Sequence, residues 1–199
     1  DENWTTEITR MFKGHYYRAH PYRKDVLGEA DTVGSFSRKD VQMFYEFLVK
    51  PDNAVLAVFG DVDPDTMAAK VQKAFASFKP GAVQPPIIAL ETDNIHENKT
   101  FVVQNEKTSA AIFVGFNGLT IHDPDVPAVN VLDAILSGIG YPSGWLHEAL
   151  RGGEQSLVYF IHAFPAFGID GGYFGVMTQT TEENFDQVAD IILDKIDLI

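Results

Sequence analysis

The sequence predicts an α+β fold built as two partial lobes, with antiparallel strands and helices packed on one face, joined by an extended linker. Three observations carry that expectation. Apolar residues recur at helical spacing in several segments, and short apolar runs of strand length alternate with them. A proline-rich stretch with neither periodicity then interrupts the chain near its middle.

The opening segment NWTTEITRMFKGHYY is predicted to be helical in part, and RAHPYRKDVLGEADTVGSF after it is irregular, punctuated by proline and glycine. Ser37, with Asp40 three residues on, marks a helix start of the capping-box kind, Asp standing where Glu or Gln is usual. Behind it, Val41, Phe44, Tyr45, Leu48 and Val49 form one apolar stripe. NAVLAVF reads as a short strand. Asp63 caps the helix that follows, with Pro64 in its first turn, Asp65 at its positive end, and Val71, Ala74, Phe75 and Phe78 as its buried side.

The prolines and polar tail of KPGAVQPPIIALETDNIHENK place the linker at 79–98. Beyond it, TFVVQ and AAIFVGF read as strands that can form a hairpin around NEKTS. Asp123 and Pro124 open a helix with Ala128, Val131, Leu132, Ile135 and Leu136 on one face. After SGIGYPSG comes the short helix WLHEALR, then the strands SLVYFIHAF and YFGVMTQ. Thr181, with Glu182 and Glu183, opens a last helix through Phe185, Val188, Ala189, Ile192 and Ile196. No internal repeat is visible.

Charge and composition exclude several classes of function. Lys and Arg total 15 against 28 Asp and Glu, and the resulting net charge of −13 repels phosphate backbones and anionic lipid, so neither nucleic acid nor a membrane surface is an expected partner. The absence of cysteine removes disulfides, thiolate zinc sites and cysteine nucleophiles, and leaves the compartment open. No apolar run approaches the ~20 residues that a membrane span needs. The sequence starts and stops within helix-like runs, and is expected to be a piece of a longer protein.

HEALR at 147–151 starts like the zinc-peptidase helix HExxH, whose two histidines face one ion while its glutamate acts as base. Arg151 stands where the second histidine must be, and a guanidinium does not ligate zinc. The reversed pattern HxxEH also fails around His147. His15, His20, His96, His122 and His162 are not spaced as a helical ligand pair, so no metal is expected to be bound by this chain. A G-x-S-x-G nucleophile elbow is missing, and Ser143 stands where a helix cap explains it. GDVDPD is acidic where a phosphate loop needs donors, lacks the remaining positions of a calcium loop, and reads as a strand-to-helix turn.

Arg151 and Tyr159 remain. A forked guanidinium and a phenol on a rigid ring both suit recognition of an oxyanion or a peptide backbone. On local chemistry alone a surface ion pair for the arginine and a packed sheet position for the tyrosine account for them better. Strand alternation puts Tyr159 with Leu157 and Ile161, and Val158 with Phe160 and His162; both faces are apolar, so the pattern leaves open which is buried.

The stretch from His20-Pro21-Tyr22 through Gly28, the Ser37-x-x-Asp40 helix start and Pro51-x-Asn53 to Gly60-Asp61-Val62-Asp63 resembles the M16 peptidase family, the insulinase or pitrilysin-like zinc metallopeptidases. PAVNVLDAILSG and SGWLHEALRGGEQSLVYFIHAF resemble that family's later helix, its leucine-arginine element and the tyrosine strand after it. The resemblance covers nearly the whole chain.

It implies two homologous α+β halves enclosing a peptide, with zinc held on an HxxEH helix in the first half, upstream of Asp1. The zinc acidifies a water and polarises the scissile carbonyl in such enzymes. By this resemblance residues 1–78 close the first half, 79–98 link, and 99–199 open the second. Zinc is then expected in the parent enzyme and not on this chain, and no catalytic residue lies within it. Arg151 and Tyr159 match the arginine and tyrosine that face the zinc across the chamber, as substrate-binding or transition-state-stabilising groups. The family spaces that pair seven apart, as in LRxxxGLxY, whereas LRGGEQSLVY spaces it eight apart, so Gly152-Gly153 has to absorb a residue. Expected partners are the zinc-binding half or a homologous subunit, a peptide substrate, and a second copy of this chain through uncovered strand edges. A noncatalytic homologue that serves an active subunit as partner or scaffold is the alternative.

Overall fold

The computed structural model describes residues 3–81, 83, 88, 94–104, 106–138, 143–152 and 156–199. Its three strands, β1 (Ser109–Gly118), β2 (Phe160–Ala166) and β3 (Gly172–Thr181), form an antiparallel sheet in the order β1-β3-β2. The last strand in sequence is thus the central one, and it is buried along most of its length. Ile112, Val114 and Phe116 oppose Thr178, Val176 and Phe174, so alternate residues collect on one face.

That face carries three helices, α5 (Val126–Ser137), α6 (Trp145–Leu150) and α7 (Phe185–Ile196). Leu136, Leu146, Leu150, Val188 and Ile192 pack on Ile161, Ala163 and Val176 in one core. Each fully buried side chain of this kind contributes roughly 1.5–3 kcal/mol. Here the antiparallel sheet and its helix layer follow the predicted class.

The opposite face is also covered. A further helix, α1 (Trp4–Tyr16), begins at Asn3, whose side chain accepts the Thr5 N–H, and lays Phe12 on Phe113 with ring centroids 4.3 Å apart. Gly115 makes this approach possible, since a Cβ there would lie 2.1 Å from the Phe12 ring. Tyr16 donates its phenol hydrogen to the Gly172 carbonyl at 2.6 Å and fixes the end of α1 on β3.

The chain forms two compact units, residues 1–26 with 88–199, and residues 27–87. One junction falls inside the predicted linker, but the other lies at 26/27, because the aromatic side of α1 packs on the sheet. Compactness therefore divides the chain differently from the sequence-based division at 78 and 98.

Residues 27–87 hold α2 (Ala30–Ser35), α3 (Arg38–Leu48) and α4 (Pro64–Ala74). The capping box forms as the sequence predicts: Ser37 N–H donates to Asp40 Oδ2 at 2.8 Å, and Asp40 N–H to Ser37 Oγ at 3.3 Å. Asp63 likewise caps α4 by accepting the Thr66 N–H. Among the described residues of this unit no side chain is buried and no strand forms. The stretch NAVLAVF, predicted as a strand, runs without a ladder and leaves Val55 98% and Phe59 91% exposed.

TFVVQ also departs from its predicted hairpin. Its described residues 100–104 are not in a strand, and β1 pairs with β3 instead. The last helix starts later than predicted, Glu182–Asn184 forming a single 3₁₀ turn before Phe185. No helix among the described residues is long and apolar enough to cross a membrane.

Candidate functional site

Helix α6 is placed by glycine and leucine. Gly144 precedes it at φ +95°, a left-handed geometry that also brings its backbone against α5: a Cβ there would meet the Ile135 carbonyl oxygen at 2.7 Å. Leu146 and Leu150, four residues apart, anchor its inner side in the core. Arg151 ends the helix, its N–H and that of Gly152 both donating to the His147 carbonyl at 2.9 Å. The chain then returns: Leu157 N–H donates to the Leu150 carbonyl at 2.9 Å, and Thr180 Oγ1 on β3 donates to the Leu157 carbonyl at 2.8 Å.

This closure brings the two predicted site residues together. The Arg151 guanidinium carbon lies 5.3 Å from the centroid of the Tyr159 ring. An exposed cation over an aromatic face contributes about 0.5–1 kcal/mol. Tyr159 is 85% exposed and precedes β2, whereas Val158 is buried at 3%. Strand alternation therefore starts at Phe160, and Tyr159 does not share the fate of buried Ile161 as the alternation predicted. Gly152 is described, while Gly153, the second half of the predicted adaptor turn, lies outside the described residues.

Sequence reasoning missed a set of polar groups around His147 and Ser137. His147 is buried, and its Nδ1 has no hydrogen-bond partner among the described residues. Burial lowers its proton affinity; a hydrogen bond with the Ser143 backbone raises it, while the Arg151 and His162 charges lower it again. Nearby, Ser137 Oγ lies 2.9 Å from Asp133 Oδ1, 3.0 Å from the Ala163 carbonyl and 3.4 Å from His162 Nδ1. At 1% exposure this serine ties α5 to β2 and is sealed from solvent. A single sequence signal pointed here, the histidine of HEALR, whose position on the inner side of α6 takes it into the core.

His20-Pro21-Tyr22 has a structural task. His20 Nδ1 accepts the Tyr22 N–H at 3.1 Å, its Nε2 faces Asp170 Oδ2 at 3.7 Å, and Tyr22 Oη accepts the Ile169 N–H at 3.2 Å. The motif thereby holds the turn between β2 and β3. No three His, Asp or Glu side chains among the described residues are grouped as metal ligands require, and Arg151 occupies the position a second helix histidine would need. The described residues do not fit zinc.

Residues 35–199 match the family model described as the peptidase M16 inactive domain. The chain belongs to this family. A protein named as an uncharacterized zinc protease from Streptomyces coelicolor is 26% identical over 178 residues, covering 87% of this chain and 38% of that relative. A probable inactive metalloprotease of Bacillus subtilis is 22% identical over 183 residues, covering 88% of this chain and 40% of the relative. The crystal structure of a peptidase M16 inactive domain from Pseudomonas fluorescens shares the fold with a TM-score of 0.81 at 20% identity, covering 98% of this chain and 47% of that one. The M16 chain thus spans about two fifths of the length of these curated relatives, with 38% and 40% of each covered.

Proposed function

We propose that this M16 chain supplies the metal-free wall of a peptide-cutting chamber, enclosing an extended peptide against a zinc-bearing half or a homologous subunit. Tyr159 and Arg151 are its donors to peptide carbonyl oxygens. The observation that carries this reading is the approach of the guanidinium to within 5.3 Å of an exposed phenol ring, in spite of the longer spacing between them. The phenol presents one O–H donor on a stiff ring, and the guanidinium presents a fork of N–H donors for a carbonyl or carboxylate. Both are suited to an oxygen that gains negative charge during peptide cleavage. Bond breaking is assigned to the other half, since this sequence carries no HxxEH motif.

The test is Tyr159→Phe in the full-length protein. Loss of one such donor lowers kcat about 10²- to 10³-fold, with the unfolding transition unchanged. Undiminished turnover removes the assignment.

A second reading, a noncatalytic homologue acting as partner or scaffold of an active subunit, draws support from one feature. The position seven residues after Arg151 is the buried Val158 and not a tyrosine. The sequence upstream of Asp1 separates the two readings: an HxxEH motif there favours the chamber wall of an enzyme, and its absence the scaffold.

A further inference from the structure

We propose that His147 is a positioning residue for Arg151, and that its ring makes the Arg151–Tyr159 stack sensitive to protonation. His147 and Arg151 stand one turn apart on α6, and the His147 carbonyl receives the N–H groups of both Arg151 and Gly152 at 2.9 Å. Any displacement of His147 is therefore passed through the backbone to Arg151. His147 is 9% exposed, its Nδ1 has no hydrogen-bond partner among the described residues, and the ring is hydrogen-bonded to the Ser143 backbone.

A neutral imidazole tolerates a bare acceptor nitrogen at modest cost, but protonation creates a buried charge that the hydrogen bond to the Ser143 backbone offsets only in part. The surrounding charges do not relieve it. Arg151 on α6 and His162 on β2 both oppose protonation of the ring. On α5, Asp133 is engaged by Ser137, which also faces His162. Asp194 and Lys195 of α7 line the groove beside Ala149, and Glu148, the next residue of α6, is exposed. The neutral ring thus holds α6 in place, and a proton drives the ring toward water, taking the end of the helix and Arg151 with it. This inference rests on the geometry of the stack and is independent of any role in peptide binding.

The experiment follows the Arg151 side-chain N–H and the Tyr159 ring resonances of the isotopically labelled chain from about pH 8 to about pH 5, the range in which histidines titrate. In the unmodified protein both signals move together, with a midpoint that coincides with the titration of the His147 ring itself. His147→Phe, which keeps an uncharged ring in the same slot, retains the stack and loses the movement. His162→Gln leaves the movement in place. A pH-independent stack in the unmodified protein, or midpoints that differ between His147 and the pair, overturns the proposal without any variant having to fold. Movement that persists in a folded His147→Phe overturns it as well.

Discussion

Leu157 donates its backbone N–H to the carbonyl of Leu150 across six intervening residues, at 2.9 Å. This bond joins the end of α6 to the approach of β2, and it sets Arg151 and Tyr159 beside each other. Leu157→Pro deletes the donor. The expected outcome is loss of the guanidinium–ring contact and a fall in stability beyond that of Leu157→Ala by about 1–3 kcal/mol, the cost of a buried carbonyl left unsatisfied. Urea unfolding of the two variants measures the difference, and equal midpoints would show that the bond has no part in closing the loop.

Leu146 and Leu150 are fully buried and hold α6 on the sheet. Truncating either to alanine is expected to cost about 2–5 kcal/mol, while Leu193→Ala, at an exposed site on α7, costs less than about 0.5 kcal/mol. Chemical denaturation of the three variants gives the ranking, and a Leu146→Ala protein as stable as Leu193→Ala would contradict the core described.

Much of the architecture was legible where local chemistry and burial agree. The Ser37–Asp40 cap, the Asp63 cap and the helical stripes of α5 and α7 are local signals, and each element forms. NAVLAVF and TFVVQ were misread because an apolar run states only that a segment can be a strand, while a ladder needs a neighbour. The placement of α1 was hidden for a related reason: Phe12 and Tyr16 show an apolar side, but only the fold shows that a glycine-cleared face of the sheet receives it. Arg151 and Tyr159 could be named as candidates, yet their approach depends on the Leu150–Leu157 closure, which no residue pattern encodes.

Gly115→Ala tests the α1 seam. A Cβ at 115 would fall 2.1 Å from a Phe12 ring carbon, so either α1 or the ring must move. A loss of about 1–3 kcal/mol is expected from this overpacking, and Phe12→Leu in the same chain is expected to recover part of it. A double-mutant cycle by thermal unfolding reports the coupling; strictly additive effects would mean that the ring and the glycine do not meet.

Alkaline stability should report on Tyr173. Burial, and secondarily the neighbouring Tyr16, pushes its phenol above the usual tyrosine value. An unfolded tyrosine ionises near about pH 10, so above that pH the unfolded chain has lost a proton that the folded chain keeps. Stability therefore declines as pH rises past this point, and Tyr173 contributes no slope below it. Tyr173→Phe is expected to flatten the decline in denaturation curves, and an unchanged alkaline slope would place its source elsewhere.

Self-association is the last expectation, and it follows from the unit at 27–87. Val41, Phe44, Tyr45 and Leu48 share one side of α3, and all four are exposed, as are Val55 and Phe59 in the extended stretch beyond. Apolar surface presented on a helix stripe and on an extended stretch without a ladder is removed from water when it meets a like surface. The isolated chain is therefore expected to gain mass with concentration in light scattering. Phe44→Glu with Tyr45→Glu puts two charges into the stripe without removing a buried side chain, and is expected to shift the population toward monomer. A strictly monomeric chain at high concentration would show that this surface is insufficient for pairing; association that survives both substitutions would move the contact to another face.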